Sequence, residues 1–586
     1  MDKGLAFILT LSILLLAACQ AAPEIQASYD PSSLRFDGEQ AYGIEEAFVG
    51  GFPNRVSGSE KTRQAAAWLE EKFSSYGLAC QTDEWSEVNY SREVPFRNVV
   101  CQLPGASPRE IVLIAHHDIA STTVEGADND GSGIAILLHL AEVFAGEGQL
   151  PYTLTFVATD GEEYGALGTG RFIDTHPDPG NIIAGFSLDN LGKYYYDGMG
   201  MELIGQYRRF TPLWLALLAR QSASAAEGLW QVNLPALVDQ ITGQAAPVSF
   251  MDQGPLTAAG VPAFGFAATY PPQYVQEHRI GWHGPEDMME RQSPLSLGQS
   301  GLVAEALVRQ LLSMESFPQE SGPYLYFEES GQVLRGLPLW LIFIGFVALF
   351  FLGSYLAGGR ALRGKWALWR EALPHFLGLW LPLLASIVLL YLLVEVGLMK
   401  EFARYPATTK DPYLHHPHLP AVIAYLLGLV LFLALGRWLV RRFAGSRPTP
   451  SFGAVKSLAL LVVALCGLYV LVRNPFSLLF TLPLLFWFLI GGRKGFGKLL
   501  DVLFFLLGGL VIYALIFQFG FVTLGLNFAF LWYLLNMFSI HMLSFISAAL
   551  ITAIIAAGLA MVVKPPRMAS QEERSAVSDQ LLVVRG

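Results

Sequence analysis

The sequence predicts two unlike parts: an α/β three-layer sandwich with a mainly parallel central sheet, and behind it an all-α domain of membrane-spanning helices. Three observations carry this. Up to about residue 315, short apolar runs that stop at polar residues alternate with segments of helical periodicity, the pattern of strands and helices packed in layers. From Leu337 onward, apolar runs long enough to cross a bilayer dominate. The 586 residues are 53% hydrophobic and only 15% charged, whereas soluble domains carry about 25% charged residues, so a large part of this chain belongs in lipid.

The elements follow in order. Lys3, the apolar run 5–18 and the small residues up to Cys19 form a secretory signal. A Cys directly after Leu16-Ala17-Ala18 resembles a bacterial lipobox, in which Cys19 becomes the lipidated first residue; an uncleaved signal anchor is the alternative for residues 1–19. Residues 20–36 are polar and Pro-containing and read as a tether. The exported domain is expected over 37–315. It opens with a helix from Asp37 that presents Ala41, Ile44, Ala47 and Phe48, and a second helix over 59–76 with Ala65, Ala66, Leu69 and Phe73 on one face. Strands are expected over 78–87 and 97–103. They carry Cys80 and Cys101, which an oxidising compartment would allow to pair, two reduced thiols being the alternative. The runs 109–115, 152–159, 184–188 and 261–267 read as buried core strands, and 132–144 as a helix opened by Gly131-Ser132-Gly133.

A linker over 316–336 leads to a transmembrane domain over 337–563. Its spans are expected at 337–356, 376–396, 421–439, 455–472, 476–490, 502–519, 524–540 and 542–563; the last two nearly touch, so the count is seven or eight. Alternate loops are basic, with Arg360, Arg363, Lys365 and Arg370 after the first span, Arg437, Arg441, Arg442 and Arg447 ending or following the third, and Arg493, Lys494 and Lys498 after the fifth. These loops face the cytoplasm and leave the N-terminal domain outside, as the signal also requires. The reading is a multi-pass bacterial cytoplasmic (inner) membrane protein with its catalytic domain on the extracytoplasmic side, and a polar tail over 564–586. A net charge of −11 with no basic stripe argues against nucleic acid as a partner.

Candidate chemistry lies in the segments that follow the core strands. These are His116-His117-Asp118, Asp128-Asn129-Asp130, Asp160-Gly161-Glu162-Glu163, Asp189-Asn190 and, further on, His283 to Asp287. Open α/β sheets place their sites at the carboxyl ends of strands. Imidazoles and carboxylates in this order suit two cations about 3.5–4 Å apart, spanned by a carboxylate with two equivalent oxygens. Asp118, two residues beyond His116, can orient its ring, and adjacent Glu162 and Glu163 allow one to bind metal while the other moves protons. His117, His139 and His278 read as structural neighbours. With no Gly-x-Ser-x-Gly elbow and no Cys beside a candidate His, the nucleophile is water.

Residues 97–290 resemble metallopeptidase family 28, the co-catalytic zinc aminopeptidases related to glutamate carboxypeptidase II and the transferrin receptor. The resemblance implies two zinc ions, one being possible, held by His116, an Asp of the 128–130 cluster, Glu163, Asp189 and His283. It further implies Glu162 as general base, Asp118 as a catalytic partner of His116, and Asp287 as the partner of His283. The loop 252–256 and the segment 259–263 are similar to the family's loop before its last core strand. One position departs: where the family's bridging Asp stands, this chain has Asn129. Asp128 is the favoured substitute ligand and Asp130 the alternative. Tyr164, Tyr270 and Tyr274 are candidates to line the substrate pocket.

The function so implied is a membrane-anchored zinc exopeptidase, an aminopeptidase first, acting on peptides outside the cytoplasmic membrane. The alternatives are a binding or scaffold module with an impaired site, as in the transferrin receptor and nicastrin, a single-zinc glutaminyl cyclase-like transferase, and an accessory domain of a transporter. The peptide substrate and the lipid bilayer are the expected partners, with oligomeric state left open.

Overall fold

The computed structural model describes residues 19–23, 25, 28–89, 92–249, 251–319, 322–357, 362–396, 419–443, 449–490, 497, 499–503, 505–507 and 544–563. The expected signal and polar tail therefore lie outside the described residues, apart from Cys19. The chain divides into two compact units, with the division at Leu339/Trp340.

The strands of the first unit are β1 (Gln20–Ala21), β2 (Ala79–Asn89), β3 (Arg92–Leu103), β4 (Ser107–His116), β5 (Tyr152–Thr159), β6 (Ile182–Leu188), β7 (Gly198–Glu202), β8 (Val232–Asn233), β9 (Ala263–Thr269), β10 (Tyr324–Phe327) and β11 (Gln332–Arg335). Its helices are α1 (Gly38–Gly51), α2 (Glu60–Ser75), α3 (Gly133–Ala145), α4 (Leu167–Thr175), α5 (Leu213–Ser224), α6 (Leu237–Ala245), α7 (Gln253–Ala259), α8 (Val275–Gly281) and α9 (Pro294–Ser313).

Eight strands form one sheet in the order β2-β3-β5-β4-β6-β9-β7-β8. Its centre, β5-β4-β6-β9, is parallel. Alternation along β4 sorts its side chains to two faces. Ile111, Leu113 and Ala115 pack into one core with residues of α1, α2, α3, α5 and α9. Val112 and Ile114 point the other way, to Phe172 and Ile173 of α4 and Leu256 of α7. Helices on both faces of a mainly parallel sheet make the expected three-layer sandwich. Cys80 and Cys101 are directly opposed in the β2–β3 register and are joined by a disulfide.

Local chemistry sets the helix starts. Ser59 caps α2 by accepting from the Thr62 amide, a contact worth about 1 kcal/mol. Asp37 caps α1 in the same way, accepting from Glu39 and Gln40. The inward face of α1 differs from the expected one: Ala41, Glu45, Phe48 and Val49 are buried, while Ala47 is exposed. The sequence pattern placed an alanine where the structure buries a carboxylate.

Two connecting segments also differ from expectation. Residues 20–36 do not form a free tether. β1 pairs with β11, Ile25 is buried, and the amides of Arg35 and Phe36 donate to the buried Glu305 carboxylate. Residues 316–336 hold the β10–β11 hairpin, which Gln240 and Gln244 of α6 bond to through its backbone. Both segments look like linkers in composition because their anchors lie far away in sequence, from 80 residues for Gln244 and Tyr324 to 313 for Gln20 and Val333.

The second unit is helical: α10 (Gly336–Ala357), whose first turn precedes the division, α11 (Leu362–Glu395), α12 (Leu419–Phe443), α13 (Phe452–Arg473), α14 (Pro475–Ile490) and α15 (Phe545–Val562). Among the described residues four helices are long and apolar enough to cross a membrane: Trp366–Leu393, Leu419–Arg442, Phe452–Arg473 and Phe545–Val562. The expected loop carrying Arg363, Lys365 and Arg370 is instead part of α11, which continues through Pro374 and Pro382. The expected spans at 502–519 and 524–540 fall mostly or wholly outside the described residues.

Candidate metal centre

Because β4, β5 and β6 are adjacent and parallel, the polar residues that follow them emerge at one edge of the sheet. His116 ends β4. Its Nδ1 lies 3.1 Å from the Asp118 carbonyl oxygen and 3.4 Å from the Asp118 carboxylate. Both neighbours are acceptors, which places a proton on Nδ1 and leaves Nε2 as the ring nitrogen that faces the cluster. Around Nε2 stand Asn129 Oδ1 at 2.8 Å, Glu162 Oε2 at 3.7 Å and Asp189 Oδ1 at 4.0 Å. Three acceptor oxygens around one ring nitrogen call for positive charge there, carried by a proton on Nε2 or by a metal ion that displaces it. Burial alone would lower the His116 pKa, but Glu162, Asp118 and Asp130 hold it well above its ordinary value.

A second pair lies across Asn129. Glu163 Oε1 accepts from Asn129 Nδ2 at 3.0 Å and is 3.1 Å from His283 Nε2. The amide of Asn129 thus stands between the two halves, oxygen toward His116 and nitrogen toward Glu163. Reversing it would set its oxygen against the Glu163 carboxylate. The two halves differ in support: His116 has Asp118 behind its Nδ1, whereas the buried Nδ1 of His283 has no hydrogen-bond partner among the described residues.

Two groups of side chains bring ligand atoms within 4.8 Å of one another: His116 with Glu162 and Glu163, and His116 with Asp130 and Asp189. Asp130 is held by the amides of His116 (3.1 Å) and Gly133 (2.9 Å). Gly133 is required there, because a Cβ on it would sit 2.4 Å from the Asp130 carboxylate and from the Leu188 carbonyl.

Two expected roles are corrected. Asp128, the favoured bridging ligand, turns away from the cluster. Its carboxylate accepts from the Gly192 amide at 2.9 Å and the Tyr196 hydroxyl at 2.5 Å, and pairs with Lys193 Nζ at 3.1 Å. Asp287, expected to orient His283, instead accepts from the backbone amides of Asp128 (2.9 Å) and Asn129 (3.1 Å).

Asp118 does more than face His116. It accepts from the Ser57 hydroxyl at 3.0 Å and from the amides of Glu162 and Glu163 at 3.2 and 3.3 Å, and so fixes the turn that presents both glutamates. Burial, with Glu163 and Asp189 adding to it and His116 opposing, raises the Glu162 pKa well above that of a free carboxyl. Tyr270 and Tyr274 belong to an aromatic group with Tyr195 and His278; Tyr195 stacks on Tyr274 and Tyr270 on His278. Tyr164 lies edge-on to Phe96.

Several members of the site carry no sequence signal. Lys193 is 1% exposed and, against the effect of burial, Asp128 and Asp287 keep its pKa raised. Glu45 is fully buried beside Arg55, with neither carboxylate oxygen hydrogen-bonded among the described residues, and burial together with Asp128, Asp287 and Asp130 raises its pKa well above the usual range. Ser57, between Asp118 and Asp160, was likewise not singled out.

His117 is fully buried and donates from Nε2 to the Arg97 carbonyl, a structural role as expected. Burial lowers its pKa to about 4, below the usual value of about 6.5. On acidification the unfolded chain takes up this proton first. Stability should therefore fall as pH drops from about 6.5 towards 4, by up to on the order of 3 kcal/mol, and level off below. Denaturant midpoints between pH 7 and 4 should show a shallower acid loss for His117→Gln than for the natural chain. Equal slopes would refute the assignment.

A mixed sheet with imidazole and carboxylate side chains gathered at its strand ends defines the class of site: one whose groups could hold a metal ion. The chain carries a domain of Peptidase family M28, whose family model matches residues 98–308. Among curated proteins it is 25% identical over 201 residues to the alkaline phosphatase isozyme conversion protein of Escherichia coli (strain K12), covering 30% of this chain and 58% of that one. It is 26% identical over 229 residues to the BOS complex subunit NCLN of Canis lupus familiaris, covering 36% and 39%. The chain thus spans less than two thirds of the length of these relatives. Among solved structures it is similar to the aminopeptidase from Aneurinibacillus sp. strain AM-1, with a TM-score of 0.40, 14% identity, and coverage of 50% of this chain and 100% of that one.

Proposed function

We propose that the first unit is a zinc-dependent exopeptidase, an aminopeptidase by preference, held at a membrane by the helical unit and facing away from the cytoplasm. The observation that carries the reading is the placement of His116 Nε2 among Asn129, Glu162 and Asp189 oxygens, with its ring fixed from behind by Asp118. This donor set fits a metal ion. His116, Asp189 and the Asn129 carbonyl oxygen would hold it, with Asp130 close by. Bound there, zinc would lower the pKa of a water and polarise a scissile carbonyl.

The protein's own groups supply the rest. Glu162 takes the proton of the attacking water and hands it to the leaving amine, a role suited to a buried carboxyl with raised proton affinity. Asp118 keeps His116 in the tautomer that leaves Nε2 free and braces the Glu162–Glu163 turn. Asp287 pins the backbone of Asp128 and Asn129, and Lys193 and Tyr196 neutralise Asp128 behind it.

The residues suit one metal better than two. A neutral amide replaces an anionic bridge, and its N–H end faces Glu163. Among the described residues His283 has no partner on Nδ1 of the kind that orients metal-binding imidazoles. The test is zinc content by mass spectrometry on the purified full chain, with hydrolysis of free and N-blocked peptides and pyroglutamate formation assayed in parallel. About one zinc per chain with hydrolysis of free N-termini supports the proposal. Pyroglutamate formation without hydrolysis would make the domain a cyclase. No zinc and no turnover would favour a second reading, a binding module, to which the closed Asn129–Glu163–His283 contacts and the resemblance to a protein named as a complex subunit both point.

A further inference from the structure

The helical unit holds a cavity that the peptidase chemistry does not use. α11 and α12 run antiparallel and touch closely at small residues: a Cβ on Gly436 would sit 2.7 Å from the Gly378 carbonyl and 2.5 Å from the Pro382 ring. Beside this crossing lies a cavity of about 620 Å³, within the roughly 300–1,000 Å³ of ligand sites. Apart from Arg370, every residue lining it is Leu, Pro, Gly, Ala, Phe or Val. The glycine contact holds the two backbones together, so the leucines on either side cannot close the space.

Three features define the occupant. The cavity opens sideways, since its lining residues Leu373, Leu381, Leu435 and Leu439 are 39% to 52% exposed on helices of membrane-crossing length. It extends along α11 from Arg370 to Ala385, which at 1.5 Å per residue is ~22 Å and spans one leaflet of a hydrocarbon core about 30 Å thick. Its charged end is cationic: Arg370 is exposed and makes no ion pair among the described residues, and α12 ends at the same side in Arg441 and Arg442. The positive-inside rule assigns this end to the cytoplasmic leaflet, where anionic lipids are concentrated.

The geometry points to a binding site for one anionic glycerophospholipid, its acyl chain in the α11–α12 groove and its phosphate on Arg370. An apolar wall rejects a polar solute, and the Arg370 guanidinium at its mouth selects a negative headgroup over a zwitterionic one.

The test uses the full chain, purified in mild detergent and delipidated, then offered phosphatidylglycerol and phosphatidylcholine with identical acyl chains. Native mass spectrometry reads bound lipid per chain. The expected result is one phosphatidylglycerol retained at least tenfold better than phosphatidylcholine. Arg370→Gln should bring that ratio close to one, and Ala385→Phe, which fills the far end of the groove, should lower retention of both lipids. Equal retention of the two lipids by the unmodified chain would overturn the proposal without reliance on any variant. So would a preference unchanged in Arg370→Gln, or retention unchanged in Ala385→Phe.

Discussion

Glu162→Gln should lower peptide turnover by about 10²–10⁴-fold, the span that a positioned general acid–base contributes, while zinc content stays unchanged. Glu162 stands 3.7 Å from His116 Nε2, beside the atoms that would hold the metal. The glutamine keeps the shape of the side chain and the Asp118 contact to the residue 162 amide. It removes only the ability to accept a proton. Parallel measurement of kcat and of metal by mass spectrometry checks this. A variant that loses zinc along with activity would make Glu162 a ligand, and one that keeps full activity would remove it from the reaction.

Asn129→Asp should carry the site from about one zinc per chain towards two and tighten binding at the second position by at least roughly tenfold, the scale on which changes around a metal site act. The reason lies in the contact it alters. Asn129 Nδ2 now donates to Glu163 Oε1 at 3.0 Å. An aspartate there sets two carboxylates against each other, which is unfavourable until a cation lies between them. The zinc-free variant should therefore melt below the zinc-free natural chain, and added zinc should raise its Tm by more than it raises that of the natural chain. Isothermal titration and thermal melts with and without zinc read the two effects separately. An unchanged stoichiometry of one, or of two in both chains, would refute the single-metal reading.

Much of the first unit could be read along the chain. Apolar runs such as 109–115 and 152–159 are strands because each is buried on both faces, and burial leaves a local mark in composition. The polar residues that end them become neighbours because parallel strands align their carboxyl ends. The arrival of His116, Glu162, Glu163 and Asp189 at one edge thus follows from order and strand type alone. The direction each side chain takes was not legible. Asp128 and Asp130 flank Asn129 in sequence, yet one turns to Lys193 and the other to the amides of His116 and Gly133. Asp287 was read from its spacing to His283, but its partners are backbone amides 158 and 159 residues earlier.

By itself the sequence determined the class of fold, the division into a sandwich and an apolar helical part, and which segments carry chemistry. Each of these depends on burial patterns repeated over neighbouring residues. Only the tertiary structure decided that Asn129 and not Asp128 stands between the two halves of the site, that Lys193, Glu45 and Arg55 are buried behind it, and that residues 20–36 lie strapped to the domain. Those outcomes depend on contacts between residues distant in the chain, where a single charge or amide finds its partner by packing and leaves no periodic trace.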